Sequence, residues 1–68
     1  MTLTANQIAR TARDYSEIAG EIVTVEQISG AIYVFGSELA TLRLFRVMPT
    51  KRQGYSVNLK KFYFSIEL

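Results

Sequence analysis

Three observations predict an α+β fold for this sequence. Apolar residues recur at three- and four-residue steps near the N-terminus, as on one face of a helix. Residues 21–28, 31–35 and 62–68 are β-branched or aromatic runs. Between the second and third run lies an apolar stretch carrying helix start and stop signals. The predicted order is helix-strand-strand-helix-strand, a single small domain over 1–68, with a small three-stranded antiparallel sheet packed against two helices. The alternative reading makes 37–48 extended and gives one helix plus a four-stranded antiparallel meander.

The first helix begins at a capping-box spacing, Thr4 and Gln7, where hydroxyl and amide satisfy otherwise unpaired N–H groups. Leu3 and Ile8 have the spacing of the accompanying hydrophobic staple. Ala5, Ile8, Ala12, Tyr15 and Ala19 form one stripe, with Arg10, Arg13, Asp14 and Glu17 opposite. Gly20 is the expected stop, because glycine tolerates the left-handed cap conformation.

Residues 21–28 (EIVTVEQI) and 31–35 (AIYVF) flank Ser29-Gly30, a two-residue connection suited to a tight hairpin. That hairpin sets Val25 opposite Val34 and Gln27 opposite Ile32 on one face, and gathers Thr24, Glu26, Tyr33 and Phe35 on the other. Residues 37–48 (SELATLRLFRVM) read as a largely buried helix. Ser37 caps it, Glu38 lies in its first turn and Arg46 in its last, and Pro49 follows. As a strand the same stretch would put an arginine on both faces. Residues 49–54 (PTKRQG) have the composition of an exposed loop, and 55–61 are either extended or a turn around Asn58. The last run alternates, with Phe62, Phe64 and Ile66 on one face and Tyr63, Ser65 and Glu67 on the other. Val23, Val25, Ile32, Val34, Phe62 and Phe64 are therefore expected to face the helices.

A chain of 68 residues buries only about 60% of the surface that its unfolded form exposes. Small domains offset this with disulfides, metals or association. With neither Cys nor His, disulfides are excluded and metal ligands reduce to carboxylates. An apolar fraction of 49% is large for two helices and a few strands to hide, which points to a homodimer. No run approaches the roughly 20 apolar residues of a membrane span, and the N-terminus lacks the basic and apolar regions of a signal peptide. A cytoplasmic protein that does not bind membranes is expected.

The residue types also bear on chemistry. His, the commonest general base, and Cys, the most reactive nucleophile, are absent, and no serine sits in an elbow or SxxK motif. The acids match no Ca²⁺ loop, and the four glycines match neither GxGxxG nor a P-loop. The expectation is a non-enzymatic protein with no catalytic residues, cofactor, metal or small-molecule substrate.

Charge is divided along the chain. Asp14, Glu17, Glu21, Glu26 and Glu38 lie in a stretch without bases; Arg43, Arg46, Lys51, Arg52, Lys60 and Lys61 follow without an acid among them. Such separation steers acidic partners to one side of a molecule, although two solvated halves that attract each other would look the same. The outer sheet face is expected to place Tyr33, Phe35 and Tyr63 beside Lys60 and Lys61. Arg43, Arg46, Lys51 and Arg52 supply further contacts for an acidic surface. The leading expectation is a small binding or regulatory protein, such as an inhibitor, that docks on another protein through these residues. The alternative is a nucleic-acid-binding module that stacks bases on the rings and neutralises phosphates with the basic side chains.

Overall fold

In the computed structural model, which describes residues 2–48 and 52–67, the chain runs α1 (Ala5–Ala19), β1 (Thr24–Ile28), β2 (Ala31–Gly36), α2 (Glu38–Val47), β3 (Arg52–Ser56) and β4 (Lys61–Glu67). The four strands form one antiparallel sheet in the order β1-β2-β4-β3. Both helices pack on the same side of it. Among the described residues no helix is long and apolar enough to cross a membrane.

Local chemistry accounts for the helix ends. The Gln7 N–H donates to Thr4 Oγ1 (3.2 Å) and the Thr4 N–H to Gln7 Oε1 (2.9 Å), the reciprocal capping box. At the other end Gly20 adopts φ 75° and its N–H reaches Ser16 O at 2.9 Å. Ser16 also steers the exit from α1. Its hydroxyl donates to Ala12 O (2.7 Å) and accepts from the Val23 N–H (3.0 Å), drawing Val23 into the core ahead of β1. The strand thus starts at Thr24, three residues later than the β-rich composition of 21–28 predicts.

The β1–β2 turn has positive φ at both central residues, 47° at Ser29 and 77° at Gly30, as the right-handed twist of a two-residue hairpin demands. Register follows: Val25 pairs with Val34, Gln27 with Ile32, Thr24 with Phe35 and Glu26 with Tyr33. Residues 38–47 are helical, with Ser37 Oγ accepting from the Ala40 N–H at 3.1 Å. That helix is less buried than its composition suggests. Ala40, Thr41 and Leu44 are fully covered, but Leu39 and Val47 are 52% and 60% exposed, because a small sheet shared with α1 covers only one side of it. Buried Thr41 stays satisfied by donating to the carbonyls of Ser37 (3.2 Å) and Glu38 (3.0 Å).

The three-stranded prediction is corrected by β3. The loop expected over 49–54 gives way at Arg52 to an edge strand pairing with β4, Gln53 against Phe64 and Tyr55 against Phe62. Its short length and polar start disguised it, and the pairing itself is non-local information. The structure joins the four strands of the alternative reading to the two helices of the leading one. Residues 57–60 form the turn back, with φ 55° at Lys60.

The core lies between sheet and helices: Ala19, Val23, Val25, Ile32, Val34, Ala40, Leu44 and Phe64, with Ile8, Ala12 and Tyr15 packed against it. Phe62 shares this face but sits at its margin, half-buried, edge-on to Tyr55 at 4.9 Å. Tyr15 meets Phe64 edge-on at 6.4 Å. Burial, and after it the Asp14 carboxylate, raise the Tyr15 phenol above its ordinary pKa. A raised acid contributes stability that is complete below the unfolded-state value, about 10 for tyrosine, and lost as pH rises through the folded-state value. Denaturant unfolding between pH 9 and 11.5 should therefore lose stability more steeply for the wild type than for Tyr15→Phe. Identical pH profiles would show that Tyr15 ionises as freely folded as unfolded.

Candidate functional site

The side of the sheet away from the helices carries no covering element among the described residues. Alternation and register define its rows. One row reads Thr24, Phe35, Tyr63, Gly54 across β1, β2, β4 and β3; the next reads Glu26, Tyr33, Ser65, Arg52; a third begins Ile28, Ala31, Glu67. Aromatic residues therefore occupy the two central strands, an acid marks one edge and a base the other.

The rings form one cluster. Tyr33 stacks on Phe35 with centroids 6.1 Å apart and planes 16° from parallel, and tilts against Tyr63 at 5.8 Å. Phe35 is only 5% exposed despite lying on the open side, since its neighbours wrap it. Gly54 explains how Tyr63 lies down. A Cβ at Gly54 would stand 3.0 Å from the Tyr63 hydroxyl oxygen and 3.2 Å from its ring carbons, so the missing side chain is the seat of the ring. A trough of about 330 Å³ runs over these rings, from Ile28 at one end to Ser56 and Leu59 at the other. Its ends are apolar and accessible, with Ile28 42% and Leu59 52% exposed.

Charges ring the trough in both signs. Arg52 Nη2 lies 3.9 Å from Glu67 Oε1, with both side chains about four-fifths exposed, a pair worth under about 1 kcal/mol. Lys61 precedes Tyr63 by two residues on β4 and borders a second hollow with Ile22, Thr24, Phe35 and Gly36. Lys60 sits exposed in the adjoining turn. No group of three or more metal-binding side chains comes together among the described residues.

The structure thus brings together Tyr33, Phe35, Tyr63, Arg52 and Lys61, with Lys60 at the rim. Arg43 and Arg46 stand elsewhere, on α2 behind the sheet. Arg43 holds two elements together instead. Its Nη1 donates to Ala19 O at 2.9 Å, capping the C-terminus of α1, where a cation also meets the negative end of the helix dipole. Arg46 is exposed in the last turn of α2. Lys51 lies outside the described residues. Sequence reasoning missed Ile28, Leu59 and Gly54. Ile28 was legible from alternation with Glu26, whereas Gly54 and Leu59 acquire their places only once β3 pairs with β4. Compared with known proteins, the chain matches no family model, no curated protein and no solved structure.

Proposed function

We propose that this is a non-enzymatic docking protein that binds another protein through the open face of its sheet. The observation that carries this reading is the cluster of Tyr33, Phe35 and Tyr63 on a face that neither helix covers. Tyrosines at the centre of a polar-rimmed patch are typical anchors of protein interfaces. The absence of His and Cys from the chain supports a role in binding rather than catalysis. The rim favours a protein over a nucleic acid. Glu26 and Glu67 lie on the same face as Arg52 and Lys61, so the rim carries both signs. A polyanion would meet repulsion on the surface where its bases would stack.

The test combines a double variant with a titration. Tyr33→Ala with Tyr63→Ala should weaken protein association by at least about tenfold, read by sedimentation and by quantitative capture of partners, while thermal unfolding shows that the fold is kept. Association equal to wild type would remove the face from consideration. Titration against labelled single-stranded and duplex DNA and RNA should give no binding at moderate salt. Micromolar binding that falls steeply with salt would replace protein docking by the nucleic-acid reading.

A further inference from the structure

We infer that the occupant of the open face is a second copy of this chain, packed sheet to sheet about a two-fold axis that runs parallel to the strands between β2 and β4. The inference rests on the docking reading above and adds the partner and its orientation. The charge order across the face carries it, and the size of the molecule permits it.

In the row Glu26, Tyr33, Ser65, Arg52, the acid belongs to β1 and the base to β3, the two outer strands. A two-fold axis along the strands lays β1 of one copy over β3 of the other, and the row meets itself reversed. Glu26 then faces Arg52 of the partner subunit, and Arg52 faces Glu26 of the partner subunit. Packed sheets lie about 10 Å apart, a gap that extended glutamate and arginine side chains close from the two sides. Between these pairs, Tyr33 stands over the partner's Ser65 and Phe35 over the partner's Tyr63. An axis across the strands would instead lay each strand over its own copy with the rows reversed, which sets Lys61 against Glu67 of the partner subunit and leaves Glu26 and Arg52 with no opposite charge across the interface. Charge swaps at Glu26 and Arg52 therefore distinguish the two orientations.

Area agrees. The molecule exposes 4668 Å² and measures 27 × 25 × 22 Å, so one side of this nearly isometric body presents about a sixth of its surface. That matches the roughly 800 Å² that each partner gives to a standard interface. Arg52 remains available, since its pairing with Glu67 is long and solvated.

The experiment uses Glu26→Arg and Arg52→Glu, both at exposed surface positions, with sedimentation equilibrium and native mass spectrometry as readouts. The wild type should dimerise. Each single variant places like charges at both pairs of its own dimer and should associate about tenfold or more weakly. An equimolar mixture of the two variants restores opposite charges at both pairs and should form the heterodimer. Three results would overturn the inference: a wild type that stays monomeric to millimolar concentration, single variants that dimerise as well as wild type, or a mixture with no heterodimer. A monomeric wild type whose Tyr33→Ala, Tyr63→Ala variant still loses capture of another protein would overturn self-association alone. If that capture were also unchanged, the docking reading would fall with it.

Discussion

Phe64→Ala should remove about 3–5 kcal/mol of folding stability at 25 °C. Phe64 is fully buried at the centre of the sheet, flanked by Val34 on β2 and Gln53 on β3, and is the largest side chain with no exposure at all. On its helix side it meets Tyr15. Truncating a buried phenylalanine costs about 3–5 kcal/mol, because transfer free energy is lost and the cavity closes only in part. A domain of this length has about 3–10 kcal/mol in total. The loss therefore equals a third or more of the stability, and in a marginal chain all of it. Circular dichroism and urea unfolding would read the change. A midpoint shift corresponding to under about 1 kcal/mol would mean that the core collapses around the gap or that Phe64 is not its centre.

The second large effect belongs to Gly36, at the end of β2 where the chain turns into α2. A Cβ there would lie 3.0 Å from Val23 Cγ1 and 3.5 Å from the Ala40 Cβ, inside the usual 3.5–4.0 Å contact for the first and at its lower limit for the second. Both neighbours are buried, Val23 at 4% and Ala40 at 0% exposure. Gly36→Ala should be nearly neutral. The reduced entropy of the unfolded chain contributes about 0.4–1 kcal/mol, which offsets a similar cost of moving Val23. Gly36→Val adds two methyl groups beyond the Cβ that already presses on Val23 and should cost about 1–3 kcal/mol, or a melting-temperature drop on the order of 10 °C. Equal stabilities for the alanine and valine variants would show that α2 is free to move off the sheet.

Much of the local structure was legible because it is encoded by neighbours in the chain. Thr4 with Gln7, Gly20, Ser29-Gly30 and Ser37 each satisfy or redirect backbone groups within three or four residues, so their turns and caps follow from residue type and spacing. Strand alternation likewise placed Val25, Val34 and Phe64 on one face and Tyr33, Phe35 and Tyr63 on the other. The aromatic part of the candidate face was therefore visible in the order of residues alone.

What tertiary structure decided was pairing over distance. Arg52–Ser56 has little strand character of its own and becomes β3 because β4 offers an unpaired edge beside it. From that one pairing follow the seat that Gly54 gives Tyr63 and the position of Arg52 opposite Glu26 across the sheet. Arg43 was removed from the candidate face in the same way, since Ala19 O, 24 residues distant in sequence, comes within reach only after both helices dock. Caps and alternation are set by contacts a few residues long, and the sequence determined them by itself; strand order and the identity of each partner depend on loop closure and on which apolar faces meet, and only the folded chain decides these.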